Sequence, residues 1–137
     1  MRIAAVSAAL LVVAGSALAA SSGTAKPTPA GTLKAEMAAF NAKNYAAAYA
    51  GYSAAFKKTC PYAKFRAGQA KLRAMLPVGT TLGVRITGVK KTGARAWLSY
   101  QILLSGQVVS TVKAPKTDTF LRVGRLWYDD VDAQTDC

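Results

Sequence analysis

Apolar residues recur with a helical period in the first half of the chain and with a period of two in the second. Tyr45, Tyr49, Tyr52 and Phe56 fall at i, i+4, i+7 and i+11, and alanines, strong helix formers, fill most positions between them. The spacing predicts a helix with an aromatic stripe. Asn44 suits its N-cap, because its side-chain oxygen can accept from a free first-turn N–H. A shorter stripe of Leu33, Met37 and Phe40 precedes it, interrupted at 41–44. Phe65, Gln69, Leu72 and Leu76 then repeat the spacing between Pro61, suited to a first helical position, and Pro77, which ends the helix.

After Pro77 the period changes. Leu82, Val84 and Ile86 alternate with Gly83, Arg85 and Thr87, and the series from Ala94 through Leu98 and Tyr100 to Leu104 alternates with Arg95, Trp97, Ser99 and Gln101. These are half-buried strands. Turns are predicted at Lys90-Lys91-Thr92-Gly93, Ser105-Gly106 and Pro115-Lys116-Thr117-Asp118, with a bend at Gly124-Arg125. Helices followed by an antiparallel meander make an α+β domain, the sheet offering one face to the helices and one to water.

The ends of the chain add an address. Met1-Arg2 is followed by an apolar run ending in Ala17-Leu18-Ala19, the pattern of a signal peptide over 1–19 with cleavage after Ala19. A retained anchor would need about 20 apolar residues. The exported protein is then expected in a periplasm or outside the cell. Residues 20–31, rich in Ser, Thr, Pro and Gly, read as a flexible linker, because that composition buries too little apolar surface to offset the entropy of ordering it. Residues 32–137 are the size of one domain. The two cysteines, Cys60 and Cys137, would pair in an oxidising compartment. Two free thiols or a disulfide-linked dimer are the alternatives. With no histidine and two cysteines, no metal site or cofactor is expected.

FNAKNYAAAYAGYSAAF at 40–56, the basic helix after it and FLRVGRLWYDDV at 120–131 are similar to the nuclear transport factor 2-like superfamily. The resemblance implies helices packed on a curved antiparallel sheet, forming a cone with a pocket. One tetratricopeptide repeat resembles the same helical stretch, but strands follow where a second repeat would be needed. Members of the superfamily include isomerases, dehydratases, transport adaptors and binding modules, so the resemblance alone names no activity. A ketosteroid-isomerase-like or dehydratase site would need a carboxylate base and an acidic donor inside the cone. Of the six acids, Asp129, Asp130, Asp132 and Asp136 crowd the tail and are expected outside it, and Asp118 falls in a predicted turn. The expectation is a binding module rather than an enzyme. Tyr45, Tyr49 and Tyr100 are the candidate walls of a pocket for a small apolar ligand, with hydroxyl tips for orientation; as plain core they need only a nearby acceptor.

Charge is the least ordinary feature. Eighteen Lys and Arg stand against 6 Asp and Glu, a net of +12, and no acid occurs between Met37 and Thr117. Lys57, Lys58, Lys64, Arg66, Lys71 and Arg73 form the densest positive run, expected along the flanks of one helix. Such a field favours an anionic surface or polymer through salt-sensitive association. It also serves solubility alone, and no known nucleic-acid module accompanies it.

Overall fold

The computed structural model describes residues 23–109 and 116–137 of the chain. The expected leader, 1–19, lies outside them. In chain order the elements are α1 (Pro29–Asn41), α2 (Tyr45–Ala50), α3 (Ala54–Thr59), α4 (Tyr62–Met75), β1 (Leu82–Thr92), β2 (Arg95–Leu104), β3 (Gln107–Val108), β4 (Lys116–Val123), β5 (Leu126–Asp129) and the short α5 (Ala133–Asp136). The strands form an open, curved antiparallel sheet in the order β1-β2-β4-β5, with β3 pairing β2. The helices pack against it, so the fold is α+β.

Helix starts follow local chemistry. Asn44 accepts from Ala47 N–H at 3.2 Å, as its position implies, and Thr28 accepts from Gly31 N–H at 3.0 Å. The aromatic stripe, however, spans two helices rather than one. Ser53 caps α3 by accepting from Phe56 N–H, while its own N–H donates to Asp129 O at 2.7 Å and Asp129 N–H donates to Gly51 O at 2.9 Å. Those backbone bonds tie the break at 51–53 to the end of β5, and they outweigh continuation of the alanine-rich helix. Gly51 permits the approach: a Cβ there would lie 1.9 Å from Thr24 Oγ1.

Residues 23–31 correct the expectation of a flexible linker. Thr24 and Ala25 are buried, Trp127 N–H donates to Lys26 O at 2.8 Å, and Pro29 already begins α1. Thr32 Oγ1, itself buried, donates to Trp127 O at 2.8 Å. Composition hid this because the segment borrows its partners from β5, about a hundred residues away in sequence.

In the sheet, Ala96, Leu98 and Tyr100 of β2 point to the buried face as alternation requires, joining Leu33, Phe120 and Trp127 in one core cluster. Lys90 to Thr92, expected in a turn, continue β1, and Gly93 with φ +59° opens the turn proper. Lys116 to Asp118 likewise belong to β4, not to a turn. Ser105 and Gly106, both at positive φ, make the two-residue connection from β2 to β3 that a tight hairpin requires. The Gly124-Arg125 signal is the turn between β4 and β5.

A second cluster, of Ala48, Tyr52, Phe56, Cys60 and Phe65, lies among the helices. Asn41 joins the end of α1 to the start of β1: its amide donates to Leu82 O and accepts from Leu82 N–H, both at 2.8 Å. Asn41→Ala leaves both backbone groups of Leu82 without that partner, and it should cost about 1 to 3 kcal/mol. Urea denaturation measures the loss, and faster amide exchange at Leu82 should accompany it. Unchanged exchange there would rule out the clamp.

Candidate functional site

A cavity of about 350 Å³ lies between the helices and the inner face of the sheet. α1 contributes Leu33, Met37 and Phe40, α4 contributes Phe65 and Leu72 with Leu76 just past its end, and β2 contributes Ile102 and Leu104. The volume lies within the range of about 300 to 1,000 Å³ usual for small-molecule sites, which are mostly apolar with a few placed polar groups.

The polar groups include three acids, beside the Gln69 amide and the Lys116 ammonium. Glu36, Asp118 and Asp129 all line the cavity. Glu36 is 5% exposed and Asp129 1%. Asp129 Oδ1 accepts from Val131 N–H at 3.0 Å, and Tyr100 Oη donates to Asp118 Oδ2 at 2.5 Å. The sequence-based expectation that the tail acids lie outside therefore fails for Asp129, and Asp118 projects from a strand rather than sitting in a turn. Asp130 does lie away from the cavity lining: it accepts from Ser53 Oγ at 2.6 Å and pairs with Arg95 at 3.3 Å. Among the described residues, no three acids converge tightly enough to hold a metal ion.

Of the three candidate pocket tyrosines, Tyr100 alone lines the cavity. Tyr45 packs on Phe40 with ring centroids 6.5 Å apart. Tyr49 spends its hydroxyl on Cys60 O at 2.8 Å and packs its ring on Tyr62 and Phe65. Tyr52, the stripe member left out of the candidate set, does line the cavity. The break before α3 explains the exchange, since two short helices aim the stripe differently from one long one.

Glu36, Asp118 and Asp129 were missed for readable reasons. Glu36 lies three residues after Leu33 and four before Phe40, on the inward stripe of α1. Asp118 alternates with the buried Phe120, and Asp129 with the buried Trp127. Extending β4 to Lys116 and β5 to Asp129 is enough to turn both acids inward.

Cys60 and Cys137 form a disulfide with Cα atoms 5.8 Å apart, closing a sequence separation of 77. It joins the C-terminus to the start of α4 and buries Cys60 completely. The six basic candidates do not act as one set. Lys57 is half-buried: its ammonium donates to Ala50 O at 3.2 Å and sits 5.6 Å from the centroid of the Tyr49 ring, and desolvation lowers its pKa from the ordinary lysine value. Arg73 donates to Thr80 O at 2.5 Å, fixing the turn after α4. Lys58, Lys64, Arg66 and Lys71 remain exposed. No helix among the described residues is long and apolar enough to cross a membrane. No protein-family model matches the chain, and no curated protein matches it.

Proposed function

We propose that the protein is an exported binding module that holds a small, largely apolar molecule in the cavity between its helices and sheet. The observation that carries this reading is the cavity itself, walled by Leu33, Met37, Phe40 and Ile102 and floored by buried acids. Its lining draws on both core clusters, Leu33 and Tyr100 of one and Ala48, Tyr52 and Phe65 of the other, so the space opens where the two halves of the core face each other. The disulfide fits an oxidising compartment, and with the leader pattern it supports export. Helices first, antiparallel strands after and a cavity between them support membership of the nuclear transport factor 2-like superfamily as part of the same proposal.

Binding is tested with N-phenyl-1-naphthylamine, a neutral apolar probe that the basic surface does not attract. Its fluorescence should rise to saturation at one equivalent. Ile102→Trp, which places an indole in the cavity, should weaken binding at least about tenfold through loss of space, with Leu104→Trp at the rim as a second variant. Equal binding by wild type and both folded variants would sink the proposal.

The three acids favour a second reading, a small proton-transfer enzyme of isomerase or dehydratase type. In it, Asp129 or Glu36 would serve as base, and the Tyr100 hydroxyl, whose one proton goes to Asp118 in this structure, would have to turn from Asp118 to a developing oxyanion on the substrate. The readings separate on Asp129→Asn and Glu36→Gln taken together. A module should keep its probe affinity within a few-fold, whereas an enzyme should lose turnover by about 10²-fold or more while still binding.

A further inference from the structure

We infer that α4 and the turn after it dock on an anionic lipid surface, with the mouth of the cavity turned toward the bilayer. Three sets of residues meet there. Ala63, Ala67, Ala70 and Ala74 fall at i, i+4, i+7 and i+11 and are all exposed, so the outward face of α4 carries no charge. Lys64 and Lys71 border that face on one side, and Arg66 and Arg73 on the other. In the last turn of α4, Leu72 is 42% and Met75 72% exposed, and beyond it Val78 is fully exposed. Single exposed apolar residues are ordinary, but Leu72, Met75 and Val78 fall within seven positions beside Lys71 and Arg73, an apolar cluster next to cations.

The patch adjoins the cavity. Leu72 of α4 and Leu76 just after it line it, as do Leu82, Leu104 and Val109 at strand ends. Leu72 falls on the side of α4 opposite the alanine stripe, exposed at the edge of the cavity, and Met75 falls between the two faces. An apolar ligand leaving a bilayer through this mouth need not cross water. That consequence rests on the cavity reading; the docking itself rests on the surface alone.

Charge complementarity decides the partner. The stretch from Met37 to Thr117 contains no acid, so no side chain of α2, α3, α4 or β1 to β3 offsets its cations, and Glu36 of α1 is buried at the cavity. A polyanionic polymer would satisfy those cations and leave Met75 and Val78 unused. An anionic bilayer satisfies both, taking the cations at its headgroups and the apolar side chains at the headgroup–acyl boundary. The long stems of Lys64, Lys71 and Arg66 allow the helix to lie close while their charges reach the phosphates.

The test is co-sedimentation of the disulfide-intact protein with vesicles, either phosphatidylglycerol and phosphatidylcholine in equal parts or phosphatidylcholine alone. Binding should be at least about tenfold stronger to the anionic vesicles, and should weaken with salt as charge attraction is screened. Met75→Ser with Val78→Ser should lower vesicle binding at least about fivefold and leave retention on heparin unchanged, because no charge is altered. Lys64→Glu with Lys71→Glu should lower both. All four side chains are exposed, so both variants should keep the fold, checked by circular dichroism. Equal binding to the two vesicle types would overturn the inference, as would a Met75→Ser, Val78→Ser protein that sediments like wild type. Retention on heparin without vesicle binding would assign the patch to a polymer and equally overturn it. Ile102→Trp should bind vesicles normally, so failure of the cavity reading and failure of docking are told apart.

Discussion

Phe65→Ala will lower the unfolding free energy by about 3 to 5 kcal/mol, the usual cost of removing a fully buried aromatic ring. Phe65 is 0% exposed and is the one buried side chain of α4. Its ring meets Tyr49 at 5.3 Å, Tyr52 at 5.2 Å and Phe56 at 6.1 Å between centroids, so truncation strips contacts from α2, α3 and the loop between them together. The surroundings cannot collapse easily into the vacated space, because Phe65 also walls the cavity. Urea denaturation of the folded variant gives the number. A loss below about 1 kcal/mol would mean that α4 is held by something other than this ring.

Cys137→Ser should cost about 2 to 5 kcal/mol, as loss of a native bridge does in small exported domains. The bridged separation of 77 residues corresponds to about 4 to 5 kcal/mol of loop-closure entropy on the chain model. Reduction of the wild-type protein should reproduce the deficit. Peptide mapping without reductant should recover one species crosslinked between Cys60 and Cys137. The two large effects will not add: Cys60 and Phe65 belong to one cluster, and neighbours that share contacts couple. A Cys137→Ser protein as stable as wild type would show that the C-terminus is pinned without the bridge.

How much of this was legible depended on whether a residue's partners were near it in sequence. Asn44 as a cap, the arrest at Pro77 and the inward alternation of Ala96, Leu98 and Tyr100 are local properties, and the structure shows each. The disulfide is expected from the cysteine count and the leader pattern, and the structure has it. What failed was decided at long range. Tyr45 to Phe56 reads as one helix until β5 supplies backbone partners at Gly51 and Ser53. Residues 23–31 read as a tail until Trp127 and Ala47 provide their hydrogen bonds. The same shortfall hid the cavity chemistry, since Asp118 and Asp129 turn inward only once their strands are extended by pairing with β2 and β4. The basic run was legible as a composition but not as a set. Burial of Lys57 and the bond from Arg73 to Thr80 divide it into cations used by the fold and cations left to solvent.

Methionine supplies the most direct measurement of the central claim. Met37 lines the cavity, and Met75 lies outside it, 72% exposed. In protein labelled with ¹³C at the methionine methyls, the neutral probe N-phenyl-1-naphthylamine is titrated while both signals are followed by NMR. A ligand seated between the helices and the sheet should shift the Met37 methyl, saturating at one equivalent, and leave Met75 in place. If Met37 stays still, or if Met75 moves with it in proportion to added probe, the molecule binds on the surface and the cavity is not the site.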